Sequence, residues 1–170
     1  MKMKELVKLL KVWREGAEVE RAHTVPHFDR YSVGHHSHGV ATIILALHPQ
    51  PTLDLIKAAL LHDLHEVHTG DIPAFAKGDE FYRLEEEVQM EIHTQDHLTG
   101  EDEAWLRAAD RLELVMWCME QMNIGNKNVA RINSNLRKWF KDNEPYVPDP
   151  ILFALAAFNP HRTLPIGADE

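Results

Sequence analysis

The sequence predicts an all-α protein, a bundle of about six to seven helices with no significant sheet. Apolar residues recur at three- and four-residue spacing along most of the chain, and no segment shows the strict alternation of a half-buried strand. With 170 residues, 44% hydrophobic and 26% charged, the chain has the size and composition of one domain able to bury a sizeable core.

The elements follow in order. Leu6, Leu9, Leu10 and Trp13 share one face of a first helix that Gly16 is expected to close. Residues 17–33 lack periodicity. From Val33 to about His48, the spacing of His36, Val40, Ile43, Ile44 and Leu47 places that histidine on the apolar stripe of a second helix. Pro51 and Thr52 open a third helix expected to run through His62 and Asp63 to about Val67, so that His62 and Glu66 share a face. Thr69-Gly70-Asp71-Ile72-Pro73 then forces a loop. Phe81, Leu84, Val88 and Ile92 form the inner stripe of a charged fourth helix, and Thr99 caps a fifth that reaches about Met122 and aligns Leu106, Asp110, Leu114 and Trp117. Val129, Ile132, Leu136 and Trp139 mark a sixth helix, and residues 150–158 a seventh. The expected organisation is a single domain over 1–170: a core at about 18–125, helices of 126–158 packed on it, and an irregular tail at 159–170.

A formal charge of -9 argues against a general nucleic-acid binder, so an anionic substrate has to be met by a local cation cluster or a metal. Cys118 is the only cysteine, which excludes an intramolecular disulfide and a cysteine-based zinc site. It lies in an apolar helical stretch, where a buried inert thiol is expected, in keeping with a reducing cytoplasm. The amino end has no export-signal pattern and no apolar run approaches 18 residues, so no membrane partner is expected.

The chemistry lies in four residues on apolar helix faces: His36, the adjacent pair His62-Asp63, and Asp110. Either His36 or Asp110 alone reads as a hydrogen-bonded polar core residue. Together, buried imidazoles and carboxylates lose several kcal/mol of solvation unless compensated, and one divalent cation would compensate all four. Two imidazoles with two carboxylates suit Co, Mn, Zn, Mg or Fe(II) and leave positions for water and a phosphate oxygen. Glu66, one turn after His62, suits a group that orients an attacking water or shuttles a proton to a leaving oxygen. Arg21 has the two-donor geometry that phosphate needs, although such an arginine also pairs readily with a carboxylate. Lys77 and Arg107 are candidate contacts to distal phosphates; either reads equally as a surface charge.

In this order, His then His-Asp then Asp, the chain resembles the HD-domain superfamily of metal-dependent phosphohydrolases. The likeness covers roughly residues 18–125 and is strongest in His62-Asp63-Leu64-His65-Glu66-Val67-His68-Thr69-Gly70-Asp71-Ile72-Pro73 with Lys77; it also rests on Arg21, on residues 32–37 and on Ala108-Ala109-Asp110. It is similar to 5'-deoxynucleotidases of the YfbR type and their short phage relatives, which include dATP triphosphohydrolases. The resemblance implies an HD-domain helical bundle with metal ligands His36, His62, Asp63 and Asp110, with Arg21 and Glu66 in the catalytic pocket. It also implies that Asp71 meets the sugar hydroxyl. Where YfbR-type enzymes carry a tryptophan after the arginine, this chain has Ala22-His23-Thr24, so the base is expected to meet Ala22, Thr24, Val25 or Pro73. For the acidic residue that the family places before its last ligand, Gln95 and Asp96 are the candidates.

The implied reaction is hydrolysis of the 5'-phosphoester of a purine deoxynucleotide, dATP first, giving nucleoside and tripolyphosphate; deoxynucleoside monophosphates are the alternative substrate. Two other readings stay open: an HD-type di-iron oxygenase that uses additional histidines among His35, His38, His65 and His68, and a non-catalytic nucleotide-binding module. Relatives associate, so a homo-oligomer is expected, and the apolar residues of the last two helices could supply its interface.

Overall fold

The computed structural model describes residues 2–73, 76–92, 94 and 98–158, and these form helices joined by short connections. The helices are α1 (Met3–Gly16), α2 (Val33–Leu47), α3 (Leu53–Leu61), the single turn α4 (Glu66–Thr69), α5 (Asp79–Glu91), α6 (Gly100–Asn123), α7 (Ala130–Asp142) and α8 (Asp149–Ala157). The seven longer ones correspond to the seven expected. Among the described residues the only β pairing is an isolated antiparallel bridge between Glu20 and Ser32. The tail from Asn159, together with His93, Gln95, Asp96 and His97, lies outside the described residues.

The 24-residue helix α6 is the axis of the molecule, packing on α2, α3, α7 and α8. Its alanines Ala108 and Ala109 let α2 and α3 approach closely, and Val40, Ile44, Leu55, Leu112, Val115, Phe140 and Ile151 fill the core around them. Thr52 and Thr99 cap α3 and α6 by accepting the Leu55 and Asp102 backbone N–H groups, so both starts follow the capping chemistry of the sequence. The last two helices turn Phe140 and Ile151 into this core, while Phe153 stays exposed.

Residues 17–32 are irregular but pinned. The Val33 and Gly34 amides donate to Val19 and Ala17, and Arg21 N–H to Tyr31 C=O at 2.7 Å. Buried Gln121, near the end of α6, exchanges two hydrogen bonds with the Phe28 backbone, and Asn126 donates to Pro26 C=O at 3.0 Å. A segment without periodicity thereby acquires a fixed course over the end of α6.

Three local expectations are corrected. The third helix does not run on to Val67: it stops at Leu61, and Leu64, Glu66, Val67 and His68 make bonds to the residue three before, tightening the chain through His62-Asp63. Gly16 ends α1 as expected, followed by Ala17 as a right-handed cap. Its missing side chain serves packing, because a Cβ there would lie 2.9 Å from the Leu64 carbonyl oxygen. On α5, Leu84 points outward and Glu85 occupies the inner face, satisfied by His65 and Lys77. The face of α1 is likewise narrower than its stripe: Leu9, Val12 and Trp13 pack inward, while Leu6 and Leu10 remain exposed.

Candidate metal centre and substrate pocket

Three elements deliver the four expected ligands to one point. α2 supplies His36, the tightened turn after α3 supplies His62 and Asp63, and α6 supplies Asp110. Ligand atoms of His36, His62 and Asp110 all lie within 4.8 Å of one another. Asp63 joins them, with Oδ2 3.6 Å from His36 Nε2 and 3.3 Å from His62 Nε2.

The donor set fits a divalent cation. His36 Nδ1 is 2.5 Å from a Glu113 carboxylate oxygen and His62 Nδ1 is 3.0 Å from the Ala59 carbonyl oxygen, so each ring donates from Nδ1 and turns Nε2 toward the cluster. Both Nε2 atoms are buried without a hydrogen-bond partner. Yet Asp110 Oδ1 stands 3.1 Å from His36 Nε2, close but misaligned for a hydrogen bond. Lone pairs facing carboxylates repel unless a positive charge lies between them, and this arrangement offers a cation two nitrogens and two carboxylates.

The electrostatics agree. Burial opposes charge on His62, but Asp63 and Asp110 outweigh it and raise its pKa to about 9. Burial also works against ionised Asp63 and Asp110, yet their histidine neighbours, and Arg21 for Asp63, hold both carboxyls below the usual range.

Arg21 pairs with Asp63 and approaches Glu66 Oε1 at 4.0 Å. Glu66 is buried, and desolvation together with neighbouring Asp63 raises its pKa to about 9 against the pull of Arg21. It is therefore protonated near neutral pH, with Oε2 unpartnered. Asp71 accepts the Ala22 backbone N–H at 2.7 Å, holding Ala22 in the left-handed region at φ 54°. Lys77 bonds Glu85 at 2.6 Å, and Glu85 also contacts His65.

A cavity of about 450 Å³ opens on this cluster. Arg21, Asp63, Glu66, Asp71, Lys77 and Asp110 form its polar side; Ala22, Thr24, Val25, Ile72, Pro73, Leu114, Ile132 and Leu136 line the rest. Every expected site residue that the structure brings together is on this surface or in the cluster behind it, except Arg107. That residue is exposed and faces a separate groove beside Trp139 and Tyr146, because it sits one turn back on the outer side of α6. Its place is taken by Arg111, whose guanidinium lies 4.2 Å from the Trp139 ring centroid, lines the cavity and approaches Asp110 at 3.4 Å. Sequence reading also missed Glu113 and Tyr31. The signal for Glu113 was an acidic residue three positions after Asp110 on the same buried stripe.

The sequence profile of the HD domain family matches residues 18–109, more than half of the chain. The chain belongs to the HD domain family. No curated protein sequence matches it. Among solved structures, this HD domain is similar to the cyanophage S-2L HD phosphohydrolase DatZ bound to dA and one catalytic Zn²⁺ ion. The TM-score is 0.65 at 18% identity, covering 87% of this chain and 95% of that one. At that identity the likeness is one of fold, and it covers more of the chain than the profile match does. Among the described residues no helix is long and apolar enough to cross a membrane.

Proposed function

We propose that this HD domain is a divalent-metal-dependent phosphohydrolase that cleaves the 5'-phosphoester of a purine deoxynucleotide, dATP or another deoxynucleoside triphosphate first, releasing deoxynucleoside and tripolyphosphate. The observation that carries it is the convergence of His36, His62, Asp63 and Asp110 at the polar end of a cavity that also holds two arginines, the buried Glu66 and an apolar wall. The structural neighbour, a phosphohydrolase bound to a deoxynucleoside and zinc, supports the same class.

A cation held by those four residues would acidify a water and offset charge on the phosphoryl oxygens. The chain's own groups do the rest. Arg21 presents its guanidinium to the phosphate next to the bond that breaks, while its pairing with Asp63 keeps that carboxylate aimed at the centre. Glu66, buried at the cavity wall, holds a proton at neutral pH and serves as the acid: as the water oxygen bonds phosphorus and the P–O5' bond breaks, its proton passes to the leaving O5', and the proton that the water gives up restores Glu66. Arg111, beside Asp110, meets the distal phosphates, and Lys77 lines the same cavity. Asp71 keeps one oxygen on Ala22 and has the other for the sugar hydroxyl. The base lies against Val25, Ile72, Pro73 and Ile132, where Ala22 leaves room that a larger residue would fill.

Nothing favours a di-iron oxygenase. Among the described residues one ligand group occurs; His35, His38 and His68 are exposed, and His65 is committed to Glu85. The test is incubation with dATP, dGTP and dAMP in Co²⁺ or Mn²⁺, with products resolved by chromatography. Deoxyadenosine from dATP is expected; deoxynucleoside from dAMP alone would instead assign a 5'-deoxynucleotidase. Binding without release from any of the three would leave a nucleotide-binding module and overturn the hydrolase.

A further inference from the structure

We propose that Glu113, backed by Tyr31, positions the His36 imidazole for cation binding, and that position 39 is glycine to admit it. The inference rests on His36 being a ligand, as read above.

His36 Nδ1 and the Tyr31 hydroxyl both reach the same Glu113 oxygen, each at 2.5 Å. All three side chains are buried: His36 is 0%, Tyr31 1% and Glu113 7% exposed. A carboxylate placed there loses most of its hydration, and this one is repaid by two donors on a single oxygen. Tyr31 is itself held flat against Trp117, ring centroids 4.5 Å apart, and burial beside Glu113 raises its pKa well above the ordinary value, so it remains a donor.

The consequence falls on His36. With Nδ1–H fixed on Glu113 the ring cannot flip, and Nε2 is left facing Asp110 and Asp63. A carboxylate on the far nitrogen also makes an imidazole a stronger donor to a cation. Glu113 follows Asp110 by one turn of α6, so one helix brings both a ligand and the group that orients another ligand. Space for it comes from α2: a Cβ on Gly39 would stand 2.7 Å from Glu113 Cγ, closer than atoms can pack. Gly39 lies three residues after His36, on the same face, in the middle of a helix where glycine is otherwise unfavourable.

The experiment is a titration of chelator-stripped protein with Co²⁺ against a chromophoric competitor, read beside thermal unfolding. Glu113→Ala and Gly39→Ala should weaken the cation by about 10- to 100-fold. Glu113→Gln, which keeps an acceptor but not the charge, should fall between these and the unaltered protein, and Tyr31→Phe should lose about fivefold, one ordinary hydrogen bond. Cys118→Ala is the control: it thins the same apolar cluster, so it should lower Tm while leaving affinity within twofold. If Glu113→Ala and Glu113→Gln both bind within threefold of the unaltered protein, the proposal is overturned; should the alanine variant not fold, the glutamine variant decides alone. An unaltered protein that takes up no cation would overturn the metal centre itself.

Discussion

Glu66 is a residue whose charge state at neutral pH is reversed by its surroundings. Its folded pKa of about 9 lies above the ordinary carboxyl value of 4.5, so the folded protein retains a proton that the unfolded chain releases. Stability is therefore fullest below pH 4.5 as far as this group is concerned, and is lost at up to about 1.4 kcal/mol per pH unit as pH rises toward 9. Glu66→Gln removes that dependence. In metal-free protein, its Tm relative to the parent should rise between pH 5 and pH 9, and its kcat should fall by about 10²- to 10⁴-fold; a Tm difference flat across that range would refute the shift. Arg111 gives a second test. Arg111→Ala should lower kcat/KM on dATP by about 10- to 100-fold, the worth of a charged hydrogen bond, and affect dAMP less. Arg107→Ala, outside the pocket, should stay within about twofold on both. These residues differ in legibility. His36, His62, Asp63 and Asp110 could be read because buried charge on a helical stripe is costly and so carries information. Arg111 against Arg107 could not, because one turn of α6 separates them and only the packing of Trp139 decides which enters the cavity.

The helices themselves were legible where periodicity and capping agreed, as at Thr52 and Thr99, and illegible where tertiary contact overrode local preference. The stretch 62–68 reads as continued helix, but the chain tightens there, and the change brings Asp63 and Glu66, three apart, onto one side beside Arg21. Leu84 was misplaced for a related reason: a stripe of apolar residues gives no weight to a buried ion pair such as Lys77 with Glu85. Gly16 marks where α1 presses on this turn. Gly16→Ala should cost about 1–3 kcal/mol, as overpacking does, because the obstructing atom is the Leu64 backbone carbonyl and cannot rotate away. Urea unfolding should show a lower midpoint with unchanged slope.

For the molecule as a whole, the all-α architecture followed from the pattern, but the fixing of residues 17–32 did not, since it depends on Gln121 and Asn126 reaching back about 100 residues to backbone groups. A cation that binds only the assembled cluster should stabilise the entire fold by mass action, about 2.7 kcal/mol at a hundred times its Kd. For a chain of this size that is a rise in Tm of roughly 5–10 °C. Asp110→Ala should abolish the rise, and scanning calorimetry with and without Co²⁺ checks it.

The late position of α6 has a consequence for biosynthesis. During translation, His36 and the His62-Asp63 pair leave the ribosome well before Asp110 and Glu113. A nascent polypeptide thus has three of the four ligands and no orienting carboxylate until α6 emerges, so the complete chelate exists only once this helix has packed against α2 and α3.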